Sequence, residues 1–188
     1  MDQIKRLPWV ILLIVLLPGL ASAQRRGGRA PVPDTNMIAV GGDAGVFVPH
    51  DDTLDAAPII EGTVDFYVTP RLSLRPGVSL TDPPLSREDS DSVRQIRIGF
   101  DVIYNWERGR WHPFAGGGLG AHFIQPKDNG HAFGDQETKA GVSVLGGVEY
   151  FLNRRVSLKG EGRFQQVNDV RGFEPTGVAL TFGVKRYF

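Results

Sequence analysis

The sequence predicts an all-β fold, an eight-stranded antiparallel up-and-down transmembrane β-barrel. Three observations carry this expectation: an apolar alternation of period two that recurs along the chain, connections that alternate short and long, and aromatic residues gathered where strands meet the short connections. The chain has 188 residues and no cysteine. Disulfides, thiolate metal sites and cysteine nucleophiles are therefore excluded together.

The elements follow in order from the N-terminus. Lys5 and Arg6 precede an apolar run from Val10 to Leu17, a Pro18-Gly19 break and Ala21-Ser22-Ala23. A charged start, a short apolar centre and a small-x-small end are the parts of a secretory signal peptide, so residues 1–23 are expected to be removed before Gln24. The run is well short of the roughly 20 apolar residues of a spanning helix. No cysteine follows it, so lipoprotein processing is excluded. Residues 24–36 (QRRGGRAPVPDTN) are basic, Gly- and Pro-bearing and aperiodic, and read as a flexible lead-in on the periplasmic side. The barrel is expected over residues 37–188. Removing Asp2, Lys5 and Arg6 with the leader leaves 19 basic against 20 acidic residues, a balance that argues against a nucleic-acid partner.

The first strand is expected between Ile38 and Val48. In the second, Ile60, Val64, Phe66 and Val68 alternate with Glu61, Thr63, Asp65, Tyr67 and Thr69. The third sets Leu72, Leu74, Val78 and Leu80 against Ser73, Arg75, Ser79 and Thr81. The fourth is the clearest, with Ile96, Ile98, Phe100, Val102, Tyr104 and Trp106 on one face and Arg97, Gly99, Asp101 and Asn105 on the other. The fifth runs from Trp111 to Phe123. The sixth opposes Val142, Val144, Val148 and Tyr150 to Lys139, Ser143 and Glu149. In the seventh, Val156, Leu158 and Phe164 oppose Ser157, Lys159, Glu161 and Arg163; in the eighth, Val178, Leu180, Phe182 and Val184 oppose Thr181 and Lys185. Segments of this length suit a tilted bilayer crossing of about 9–11 residues.

Tight connections centre on Thr69-Pro70-Arg71, Glu107 to Arg110 and Leu152 to Arg155. Longer ones run over Pro49 to Ala57, Asp82 to Ser92, Pro126 to Glu137 and Asn168 to Glu174. The longer four carry a formal charge of −9, whereas the tight turns hold Arg71, Arg108, Arg110, Arg154 and Arg155 against Glu107. Short periplasmic turns and longer outer loops are the outer-membrane pattern, and an even strand count leaves both termini on the periplasmic side.

Alternation alone also fits a soluble barrel with an apolar interior. The aromatic residues decide for the membrane. Phe66, Tyr67, Tyr104, Trp106, Trp111, Tyr150, Phe151, Tyr187 and Phe188 fall beside the tight turns or the C-terminus, as a girdle at the headgroup level does, with Phe123 and Phe164 as a sparser girdle opposite.

With lipid outside, the polar face must point inward. The lumen is then expected to hold Asp43, Glu61, Asp65, Arg75, Arg97, Asp101, Lys139, Glu149, Lys159, Glu161 and Arg163. Near-equal numbers of each sign in a bore about as wide as its own side chains favour an ion-paired, filled interior. A conduit in which these pairs exchange partners is the functional alternative.

Enzymatic chemistry has little to work with. His50 and His131 fall in loops, and the spacing of His112 and His122 points both inward beside glycines, as structural residues. The acidic loop around Asp89 and Asp91 lacks the glycine and spaced ligands of a calcium loop. Gly116 to Gly120 is not followed by the Lys-Ser/Thr of a phosphate cradle. No catalytic, metal or cofactor site is expected.

The chain resembles the small outer-membrane β-barrels with an outer-membrane-protein-A-like transmembrane domain. The resemblance rests on Trp111-His112-Pro113-Phe114 leading into Gly116-Gly117-Gly118-Leu119-Gly120, on the hairpin from Gly146-Gly147-Val148-Glu149-Tyr150-Phe151 to Arg155, and on the terminal Gly183 to Phe188. It implies an integral protein of the bacterial outer membrane in contact with lipid and lipopolysaccharide. It also implies a C-terminal strand read by the barrel-assembly machinery through Leu180, Phe182, Val184 and Phe188, with Arg186 at a position usually apolar or aromatic. Members of the family are structural, porin-like or adhesive. A structural, non-enzymatic barrel with a filled lumen and four short acidic outer loops is the first expectation. A porin-like channel for small solutes or a surface adhesin comes next, and a lipid-modifying enzyme last.

Overall fold

The computed structural model describes residues 33–50, 54–85, 92–106, 109–128, 131–132, 136–167 and 176–188. Eight long strands form the wall: β1 (Ile38–Pro49), β2 (Ala57–Tyr67), β3 (Leu72–Thr81), β4 (Ser92–Asn105), β5 (Trp111–Asp128), β7 (Glu137–Phe151), β8 (Val156–Val167) and β9 (Gly177–Tyr187). β6 (His131–Ala132) is a two-residue pair that extends β5 beyond the wall. Every neighbouring pair is antiparallel, β4 joins β5, and β1 joins both β2 and β9, so the sheet closes. The closing seam runs without interruption from Ala39↔Tyr187 to Pro49↔Gly177. Closure leaves no edge whose peptide groups would be stranded in hydrocarbon.

Turn chemistry explains the tight ends. Thr69 Oγ1 accepts from the Arg71 and Leu72 amides at 3.2 and 3.0 Å, and Asn153 Oδ1 accepts from those of Arg155 and Val156 at 2.8 and 3.0 Å. Short polar side chains that capture their own backbone two or three residues on are the usual means of reversing a chain this sharply. Gly109 supplies the left-handed conformation in the turn between β4 and β5, with φ of +68°.

The strict alternation of burial sends one residue set outward and the other inward. Ile60, Phe100, Leu119, Val144, Leu180 and Phe182 face out, Phe182 at 74 % exposure. Arg75, Asp65, Asp101, Glu149, Lys159 and Lys185 face in and are almost wholly buried. A water-soluble barrel has the opposite arrangement, so hydrocarbon is the outer solvent of this one.

The expected girdle divides on the same rule. Phe66, Tyr104, Trp106, Trp111 and Phe188 are exposed on the outer face, and Tyr150 is half-buried on that face. Phe151 and Tyr187 are corrections: they are 1 % and 2 % exposed and point into the lumen, together with Tyr67. The reason is parity. Tyr150 and Phe188 point out, so their chain neighbours Phe151 and Tyr187 must point in.

Candidate functional site

The interior is stacked in layers. At the loop end Leu54, Val93, Ile124 and Val167 form an apolar cap, with Leu85 packed against it. Leu54 belongs to the first long connection and is held there by a bridge to Leu85 and by the Asp55 amide donating to the Pro84 carbonyl at 3.0 Å. Beneath it Gln95 Nε2 lies 2.7 Å from His122 Nδ1. At the turn end Ala39, Tyr67, Phe151 and Tyr187 make a second plug, with Met37 against it. Tyr67 and Tyr187 hydroxyls are 3.3 Å apart, and the His112 ring lies against Phe151 with centroids 4.7 Å apart.

Between the plugs lies the charge network. Arg163 donates to Asp101 at 2.8 Å, to Glu61 at 3.0 Å and to Glu161 at 2.9 Å. Arg97 donates to Asp101 at 2.9 Å, and Ser143 lies 3.3 Å from both of them. Lys159 bridges Asp43 at 2.9 Å and Glu161 at 3.2 Å. Arg75 donates through Nε to Asp65 at 2.8 Å and through Nη1 to Glu161 at 2.6 Å. Lys185 pairs with Asp65 at 3.1 Å and approaches Glu149 at 3.6 Å, and Glu149 also accepts short hydrogen bonds from Ser157 and Tyr187. Glu161 is the hub, shared by Arg75, Lys159 and Arg163.

The Arg75–Glu161 pair fixes the bore. In the closed order β3 and β8 stand four strands apart in either direction, so this 2.6 Å contact crosses the full diameter. An eight-stranded barrel is narrow enough for side chains to meet in this way.

Glycines on the same or the neighbouring strand make the room. A methyl at Gly99 would collide with the Arg97 guanidinium, one at Gly118 with the Asp101 carboxylate, and one at Gly183 with the Asp43 carboxylate. Glycine inside these strands is therefore a space for long side chains to lie in, at the usual cost in strand propensity.

Of the expected lumen residues, the structure brings ten into this network: Asp43, Glu61, Asp65, Arg75, Arg97, Asp101, Glu149, Lys159, Glu161 and Arg163. Lys139 is a correction. Its side chain, opposite His122 near the loop end, is 33 % exposed and pairs with Glu137 at 3.5 Å rather than with the buried network. Lys185 was absent from the expected set although it shares parity with Thr181 and Tyr187, which is the signal that identifies it. His112 Nε2 donates to the Gly109 carbonyl, 3.0 Å away, while His50 is exposed on the loop side. His131 lies in β6, its side chain outside the described residues. The described residues contain no cluster of three or more histidine, aspartate or glutamate side chains placed to hold a metal ion.

A family model described as "Outer membrane protein beta-barrel domain" matches residues 11–188. The fold is similar to the crystal structure of Neisserial surface protein A, with a TM-score of 0.69 and 16 % identity over 82 % of this chain and 98 % of that one. It is also similar to the outer membrane protein OprG of Pseudomonas aeruginosa, with a TM-score of 0.66 and 11 % identity over 85 % of this chain and 99 % of that one. A third likeness is to Ail, the attachment invasion locus protein of Yersinia pestis, with a TM-score of 0.57 and 6 % identity over 82 % and 99 % of the two chains. At these identities the likeness shows the fold alone. No curated protein sequence matches the chain.

Proposed function

The chain belongs to the outer-membrane β-barrel family, and from that premise we propose a non-enzymatic, structural membrane protein whose lumen is closed by its own side chains. It is an integral protein of the bacterial outer membrane. One observation carries the structural reading: among the described residues, charged side chains meet across the whole diameter between two apolar plugs. Residues 1–23, which lie outside the described residues, are the export leader, and sequencing the mature N-terminus should begin at Gln24. The tight turns face the periplasm and the acidic loops face outward. Leu180, Phe182, Val184 and Phe188 form the lipid-facing row of the last strand and supply the signal for the barrel-assembly machinery.

The test is heat-modifiability with circular dichroism, followed by planar-bilayer recording. A boiling-dependent gel shift, a β spectrum and no conductance at any voltage are expected. A chain that is monomeric and soluble without detergent would overturn the reading.

A gated, porin-like conduit is the second reading, and a specific feature supports it. Asp43 Oδ1, Arg75 Nη2 and Asn105 Nδ2 are buried without a protein hydrogen-bond partner, so the network has spare donors and acceptors with which to re-pair. Discrete current steps abolished by Glu161→Gln would favour it.

A further inference from the structure

We propose that the turn end of the barrel carries a binding surface for the phosphate groups of anionic phospholipids, built from Arg110, Arg154, Arg155 and Arg186 beside the aromatic girdle. The proposal rests on the reading of the chain as a lipid-embedded barrel. All four side chains are exposed, and among the described residues none forms an ion pair.

The four lie along one arc of the rim. Arg110 directly precedes Trp111, and its carbonyl accepts from the Phe151 amide at 2.9 Å, which places it beside the end of β7. Arg154 and Arg155 form the turn from β7 to β8, and the Arg155 carbonyl accepts from the Tyr187 amide at 2.8 Å, beside the end of β9. Arg186 stands opposite Val156 on the outer face of β9, its guanidinium carbon 5.2 Å from the Phe188 ring centre. Trp111 and Tyr150, with ring centroids 4.7 Å apart, border the same arc on the lipid side.

Aromatic rings of this kind settle at the headgroup level. Guanidinium groups beside them meet lipid phosphates, which their planar fork matches with two parallel hydrogen bonds. The orientation of Arg186 selects lipid over a soluble anion. Its side chain leaves the strand on the same face as Val184, Phe182 and Phe188, toward the bilayer and away from the barrel axis. This accounts for arginine in a row that is otherwise apolar. The surface is also specific in its placement: at the loop end Arg94 and Lys127 both pair with Asp82.

The test uses the mature chain refolded into phosphatidylcholine vesicles with trace spin-labelled phosphatidylglycerol or spin-labelled phosphatidylcholine, reading the fraction of motionally restricted label. Phosphatidylglycerol should be favoured about threefold to tenfold at low salt. The preference should fall to parity at high salt and in the R110Q/R154Q/R155Q/R186Q variant, with the gel shift on boiling retained. Should that variant fail to fold, Arg186→Gln alone should still lower the preference. An excess of glycerophosphoglycerol, the headgroup without acyl chains, should leave it unchanged; its loss there would assign the rim to a soluble anion and overturn the proposal. A heat-modifiable wild type with no preference, or a preference undiminished in the variants, overturns the headgroup site alone. A wild type without a heat shift overturns the barrel reading and the proposal with it.

Discussion

The two faces of the same strands are held by different physics. Outward residues such as Phe182, Leu119 and Val144 meet hydrocarbon, touch few fixed neighbours and are interchangeable within their class. Inward residues one position away are bound to named partners on strands up to half the circumference distant, as Arg75 is to Glu161. The difference teaches that the outer face tolerates exchange within a residue class, while the unique state of the interior depends on a few side chains.

Removing the hub should break the inner face most severely. Glu161→Ala leaves Arg75, Lys159 and Arg163 each one carboxylate short, and removing one partner of a buried ion pair costs about 3–5 kcal/mol. Urea unfolding of the barrel in lipid vesicles should show that loss; a change under about 1 kcal/mol would mean that water already screens the network. The outer face has its own limit. Phe182→Arg, near the middle of β9, should cost about 2–4 kcal/mol, whereas Phe182→Leu should leave the midpoint nearly unchanged.

Gly183→Ala sharpens the comparison, because it adds one methyl to the inner face. That methyl would meet the Asp43 carboxylate and the Gly42 carbonyl oxygen, and overpacking of this kind costs about 1–3 kcal/mol. The same substitution at Gly62, which points outward into open space, should not destabilise. The turn-end plug comes next. Tyr187→Phe removes a donor from Glu149, which keeps Ser157 and Lys185, so a loss of about 1–2 kcal/mol is expected from the same unfolding measurement.

Most of the wall was legible because its two solvents impose a period of two that nothing interrupts. Ile96 to Trp106 already separates into lipid and lumen residues by parity alone. Phe151 and Tyr187 were misread where residue type was allowed to override parity: aromatic side chains near a strand end suit both a girdle and a plug, and only the outward Tyr150 and Phe188 decide between them. Lys139 shows the other gap. Parity tells which way a side chain points but not at what height, and height depends on the stagger between strands, here Gly141 opposite Val167 and Gly120. Leu54 was beyond reach for a third reason, since a loop residue that folds over the bore carries no periodicity. Much of the pairing within the network was equally hidden, because contacts such as Arg75–Glu161, Arg163–Glu61 and Lys159–Asp43 join strands that are not neighbours in the sheet.

The finest test of the comparison lies at two adjacent residues. Val144 is 60 % exposed and Leu145 is 6 % exposed, packed with Ile103 and Phe114. Both can be changed by a single carbon, Val144→Leu and Leu145→Val, with strand register and length untouched. At Leu145 the lost methylene leaves a gap lined by fixed side chains, so a cost of about 0.5–1.5 kcal/mol is expected. At Val144 the added methylene enters fluid hydrocarbon that closes around it, and an exposed substitution of this kind stays within about 0.5 kcal/mol. Unfolding midpoints measured side by side in the same vesicles decide the matter. Equal costs at the two positions would mean that the outer face is packed against a fixed partner, and a loss confined to Leu145 is what a lipid-solvated wall around a solid core requires.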